Sequence, residues 1–118
     1  MQWLNNVVDE LLTRHPAGEI VVSSGVSPSG TYHLGTLREV LTAEAIAYEI
    51  RRRGRAAKHV HVVDDLDVFR KVPAGISEDF NQYLGKPLCD VPAPGGLEGS
   101  YADYYVQDLF VAAEKMHL

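Results

Sequence analysis

Three segments follow one another in the first half of this chain: an apolar run, a glycine-bearing turn and a long apolar-periodic stretch. The run Ile20-Val21-Val22 lies in a short β-branched segment bounded by glycines, which reads as a buried strand over residues 19–24. The periodic stretch predicts a helix from about residue 33 to 53, stopped by Gly54. Leu34, Leu37, Leu41, Ala45 and Tyr48 share one of its faces, with Val40, Ala43, Ala47 and Ile50 beside them. So wide a stripe suits a crossover helix packed on a sheet. Lys58-His-Val-His-Val-Val63 then gives a second strand. Strand, helix and strand in that order form a βαβ unit, and a right-handed crossover makes the two strands parallel. The expected class is α/β.

The junction between the first strand and the helix carries the chemistry. It reads Gly25-Val-Ser-Pro28-Ser29-Gly30-Thr-Tyr-His33-Leu34-Gly35-Thr36. Backbone N–H groups at a helix N-terminus have no intrahelical partner, and the helix dipole adds partial positive charge there. A phosphate can be held without any lysine. Gly30 and Gly35 leave the backbone open to a bulky ligand. In an ATP site of this kind, Gly35 would let the adenine lie against the helix backbone. His33 would donate to a phosphate whose charge rises in the transition state. The plainer alternative makes His33 a polar helix-capping residue beside a tight turn.

Around this unit the pattern predicts a first amphipathic helix over residues 2–14, ended by His15-Pro16-Ala17-Gly18. After Asp67 the segments Lys71-Val-Pro73, Gly85-Lys-Pro87 and Val91-Pro-Ala-Pro-Gly-Gly96 punctuate an irregular stretch, with a short helix around 78–83. A last helix begins near Ser100, with Tyr101, Tyr105, Leu109, Ala112 and Met116 on one face, and its pattern still runs at Leu118. Two strands make a small sheet, and doubly wound nucleotide folds are built from two mononucleotide-binding halves. The 118 residues therefore read as one such half: a partial Rossmann-like (HUP-type) nucleotide-binding fold, a parallel βαβ unit with flanking helices.

The net charge of −5 argues against a wholly basic nucleic-acid-binding module, and no DNA partner is expected. Cys89 is the only cysteine, which favours a reducing, cytoplasmic setting. No secretory signal and no membrane-spanning run are present, so no membrane partner is expected either. Asp64, Asp65 and Asp67 cluster at the carboxyl end of the second strand, where parallel sheets bind ligands. They could hold a substrate ammonium, a ribose hydroxyl or a metal, or simply form an exposed acidic turn. Strand alternation would aim Asp64 and Asp65 to opposite sides. Arg51, Arg52, Arg53 and Arg55 could meet an RNA backbone or complement a helix C-terminus. Arg70 and Lys71 could offset the acidic turn or touch nucleic acid, and Tyr101, Tyr104 and Tyr105 read as packing residues.

The run from Ser24 to Gly35 resembles the HIGH region of class I aminoacyl-tRNA synthetases. Leu37-Arg38-Glu39, Asp64–Pro73, Tyr83-Leu-Gly85-Lys-Pro87 and Ser100-Tyr101-Ala102 make the resemblance narrower, to the class I lysyl-tRNA synthetases. It implies activation of lysine by ATP to lysyl-adenylate, accompanied by Mg, and transfer to tRNA(Lys). It assigns ATP to Pro28, Ser29, Gly30, His33, Gly35 and Thr36, with His33 catalytic, and the amino acid to Ser24, Gly25, Asp64 and Asp65. Asp64 would take the α-ammonium. Glutamyl relatives carry an arginine at or beside the position of Ser23, and a small neutral residue there argues for a cationic side chain instead. Thr36 replaces the second histidine of the pattern. The metal ligands of some members fall on Ala93, Leu97, Glu98 and Tyr104, so no zinc is expected. Residues 1–118 contain no KMSKS-type loop and match only the N-terminal part of such an enzyme. The expectation is thus the N-terminal half of a catalytic domain, a single incomplete domain. Two alternatives stand beside it: a non-catalytic ATP- and amino-acid-binding paralogue, and a small nucleotidyltransferase of the wider superfamily. The oligomeric state is open.

Overall fold

A computed structural model describes residues 1–118. The element order is α1 (Gln2–Arg14), β1 (Ile20–Val26), α2 (Leu34–Arg52), β2 (Ala57–Val63) and α3 (Tyr101–Lys115), with three short 3-10 turns before α3. β1 and β2 pair as a two-stranded sheet. Ile20 N–H donates to Ala56 O at 3.0 Å and Asp64 N–H to Val26 O at 2.8 Å, so both strands advance together and are parallel. The expected α/β class and βαβ unit are present. The chain divides into two compact units, one comprising residues 1–25 and 34–62, the other 26–33 and 63–118. No helix is long and apolar enough to cross a membrane.

In the first unit, Val8 of α1, Ile20 of β1 and Ile50 of α2 are buried together. Leu4, Leu11, Leu12, Val22, Ile46 and Ala57 pack around them. This core occupies one face of the sheet. On the other face Val21 is 58% and Val62 54% exposed. Helix α2 differs from the expected stripe: it buries Val40, Ala43, Ala47 and Ile50, whereas Leu34, Leu41 and Tyr48 remain exposed. Two strands and one neighbouring helix offer too little surface to cover a stripe that wide, so only its more strongly small and β-branched side is enclosed.

The arginines at the end of α2 serve the fold. Arg51 pairs with Glu44, and Arg53 with Asp9 of α1. Arg55 donates to the carbonyls of His15 and Gly18, both at 2.9 Å, which ties down the turn that ends α1. Arg52 makes a two-pronged contact with the buried Glu49 at 2.7 and 2.8 Å, and Arg53 adds a third hydrogen bond at 3.1 Å. Those hydrogen bonds lower the Glu49 carboxyl to about 2.

The second unit is organised by aromatic packing. Phe69, Leu88, Val91, Tyr101, Ala102 and Tyr105 form its core, with Tyr32, Val72, Ile76, Phe80 and Tyr83 against them. Tyr101 lies 5.1 Å from Phe69 and 4.7 Å from Tyr105, ring centre to ring centre. The tyrosines Tyr101 and Tyr105 are packing residues, as their sequence context suggests. The short helix expected around residues 78–83 is the 3-10 helix Glu78–Tyr83, begun by Ser77. Ser100 caps α3 reciprocally with Asp103, the two bonds measuring 3.0 and 3.3 Å. The helix closes at Lys115, short of the continuing apolar pattern.

Candidate functional site

In the first unit, β1 carries Ser24 and Gly25 at its carboxyl end. Ser24 is buried, because the period of the strand turns it toward the same side as Ile20 and Val22. Its hydroxyl lies 2.8 Å from His59 Nε2 and 2.7 Å from His61 Nδ1, two residues that share a face of β2. His59 Nδ1 lies 3.0 Å from Glu44 Oε2, and Glu44 in turn pairs with Arg51. One neutral arrangement satisfies this chain. His59 donates from Nδ1 to Glu44, and the Ser24 hydroxyl donates to His59 Nε2 while accepting from His61 Nδ1–H. His61 Nε2 is then a bare acceptor, buried without a hydrogen-bond partner. Burial, the largest cause, pushes the His61 pKa down, in keeping with a neutral ring. The spacing His59-x-His61 on a strand was the available sign of this network.

Gly25 N–H donates to Glu39 Oε1 at 2.7 Å, joining the end of β1 to the second turn of α2. Gly35 and Thr36 lie in the first turn of α2, which starts at Leu34. Gly35 lines an open groove of about 400 Å³ together with Val22, Ser23, Arg38, Glu39 and Thr42. Ala43 and Ile46 complete a largely apolar lining, in which Arg38 and Glu39 are the charged members.

In the second unit, Pro28 is fully buried, Ser29 exposed and Gly30 half-buried. Ser29 N–H bonds to Ser27 O at 2.8 Å, and Tyr101 Oη donates to Ser29 O at 2.9 Å. Tyr32 packs its ring into the aromatic core. His33 is exposed and immediately precedes the first helical residue of α2. The loop is thus anchored through its apolar members, leaving Ser29 and His33 exposed and Gly30 half-buried.

Asp64 and Asp65 do not alternate on a strand. β2 ends at Val63, and Asp67 N–H reaches back to Asp64 O at 3.4 Å, so the aspartates sit in a tight turn with Asp64 and Asp65 both exposed. The opposite-facing expectation assumed extended backbone, which ends at Val63. Asp67 has a different part. Hydrogen bonds from the Ser27 side chain and the Val68 amide, aided by Arg70, hold its carboxyl below the usual range. Arg70 therefore offsets the acidic turn. Ser29, Asp67, Phe69, Arg70, Lys71 and Pro73 line a second groove of about 250 Å³. No group of three or more His, Cys, Asp or Glu side chains is arranged to hold a metal ion.

Comparison with known proteins gives this geometry its context. Residues 1–118 match the model of the family described as "tRNA synthetases class I (K)". The chain is 35% identical over 117 residues to the lysine–tRNA ligase of Pyrococcus horikoshii, covering 98% of this chain and 22% of that protein. It is 46% identical over 102 residues to the lysine–tRNA ligase of Streptomyces coelicolor, covering 80% and 18%. With the lysine–tRNA ligase of Archaeoglobus fulgidus it shares 37% identity over 114 residues, covering 97% and 23%. The chain thus spans about a fifth of the length of the curated relatives it matches. Its whole length falling within that family, with a parallel βαβ unit in its fold, this chain belongs to the class I (K) tRNA synthetases.

Proposed function

We propose that residues 1–118 supply the ATP- and lysine-binding half of a lysine–tRNA ligase catalytic domain. The observation that carries the proposal is the anchored loop, in which exposed Ser29 and His33 and half-buried Gly30 are held by a buried proline and an aromatic core. ATP is assigned to Pro28, Ser29, Gly30, His33, Gly35 and Thr36. The reaction joins the lysine carboxylate to the α-phosphorus and releases pyrophosphate. Backbone N–H groups and the His33 side chain would offset the charge that grows on the phosphate oxygens. Mg would accompany the triphosphate as its counter-ion.

Lysine is assigned to Ser24, Gly25, Asp64 and Asp65, with the exposed Asp64 carboxylate taking the α-ammonium. The Ser24 side chain is occupied by two imidazoles, so Ser24 would serve through its backbone and by placing Gly25. Transfer of the lysyl group to tRNA(Lys) is proposed for the longer enzyme, in a cytoplasmic setting. Titration calorimetry of the 118-residue chain with ATP, L-lysine and L-glutamate tests the reading. Saturable binding of ATP and lysine, with glutamate at least tenfold weaker, is the expected result. No ATP binding, or glutamate bound as well as lysine, would overturn it.

A further inference from the structure

We infer that Tyr101, the first residue of α3, is a positioning residue that aims the Gly30 backbone N–H at the phosphates of ATP. The inference rests on the ATP-binding reading above and assigns a task to a residue far from the glycine turn in sequence. Tyr101 is fully buried, and its hydroxyl donates to Ser29 O at 2.9 Å across 72 residues of chain.

The donor is held from every side. Its ring packs 5.1 Å from Phe69, 6.4 Å from Phe80 and 4.7 Å from Tyr105. Its backbone N–H bonds to Val91 O at 2.7 Å, and the Ser100–Asp103 capping pair fixes the helix start beneath it. Burial raises the phenol well above its ordinary pKa, so the hydroxyl stays a donor at any physiological pH.

The consequence for the loop follows from peptide geometry. No peptide bond in the chain is cis, and in a trans peptide the C=O of one residue and the N–H of the next point in opposite directions. With the Ser29 carbonyl turned inward to Tyr101, the Gly30 N–H is turned outward. Peptide planes beside glycine reorient easily, so this one needs an anchor. Space is not what calls for glycine here. A Cβ at Gly30 would meet Pro73 Cγ at 3.7 Å and Tyr101 Oη at 4.0 Å, both ordinary contacts. What the position supplies is an N–H whose direction is set by Tyr101.

The test uses the 15N-labelled 118-residue chain and its Tyr101→Phe variant, which keeps the ring and deletes the hydroxyl. ATP should displace the Gly30 amide resonance of the wild type. The variant should bind ATP about tenfold or more weakly, the loss expected for one hydrogen bond to a charged group. Its Gly30 amide should already be shifted without ligand, while amides of β2 stay in place; a merely structural tyrosine would not single out Gly30. A wild type that binds no ATP overturns the functional reading and this inference together. A wild type that binds, with a variant within twofold of it, overturns this inference alone. Should Tyr101→Phe fail to fold, the wild-type titration decides: a Gly30 amide unmoved at saturating ATP overturns the inference, and a displaced one supports it.

Discussion

Replacing Ser24 by alanine probes the Ser24–His59–His61 network, the least expected feature of the first unit. The hydroxyl is the only bridge between the two imidazoles, with contacts of 2.8 and 2.7 Å. Its removal deletes two hydrogen bonds of about 1 kcal/mol each and strands two part-buried ring nitrogens, for a combined loss of about 2–4 kcal/mol. Small domains hold only about 5–15 kcal/mol in total, so this is a large fraction. At this chain length the melting temperature should drop by about 8–16 °C. Thermal and urea unfolding followed by circular dichroism measures the loss. A second readout is sharper, because the neutral arrangement requires the proton on Nδ1 of both histidines. Long-range 1H–15N correlation at pH 8 should show Nδ1–H and bare Nε2 at His59 and His61. A loss under about 0.5 kcal/mol, the size of an ordinary surface change, or Nε2–H at either ring, would refute the reasoning. The pH dependence has a definite sign. The folded-state pKa of His61 lies below its ordinary 6.5, chiefly through burial and then through His59, with Glu39 opposing. Its contribution is therefore present above pH 6.5 and is lost as the pH falls below it, because the unfolded chain binds more protons.

At lower pH a second group takes over. Arg52 and Arg53 hold the Glu49 carboxyl at about 2, against an ordinary 4.5, so its contribution is complete above pH 4.5 and declines as the pH falls toward 2. Glu49→Gln should flatten that limb of the stability curve in an acid titration followed by circular dichroism; an unchanged limb would contradict the assignment. Ser100→Ala removes the N-cap of α3 and should cost about 1 kcal/mol in urea unfolding, with a cost near zero counting against the capping pair as an organiser of that helix.

Much of this fold is legible in the residues. The helix expected over 2–14 is Gln2–Arg14, the crossover helix is Leu34–Arg52, and the last helix starts one residue after Ser100. Strong apolar periods, a proline and a glycine stop, and a serine cap mark those limits locally. Which stripe of α2 is buried was not legible, since it depends on how much sheet lies beneath it. An acidic turn at residues 64–67 was one reading of the aspartates, and only the alternation argument carried strand geometry past Val63, because three carboxylates after an apolar run carry no backbone signal of their own. Of the candidate site, the loop Pro28–His33 could be read from its glycine and helix-start chemistry. Tyr101 as its anchor, Asp67 as a brace and the occupation of Ser24 by His59 and His61 could not, because each joins residues more than thirty positions apart in sequence.

The central claim is that the loop ending in His33 binds ATP. Calorimetric titration of ATP into the wild-type chain and into His33→Ala, compared side by side with circular dichroism confirming equal folding, tests it most directly. Saturable binding by the wild type and a loss of affinity of about tenfold or more in the variant are expected, as for a removed hydrogen bond to a charged phosphate. Equal affinities in the two proteins would contradict it.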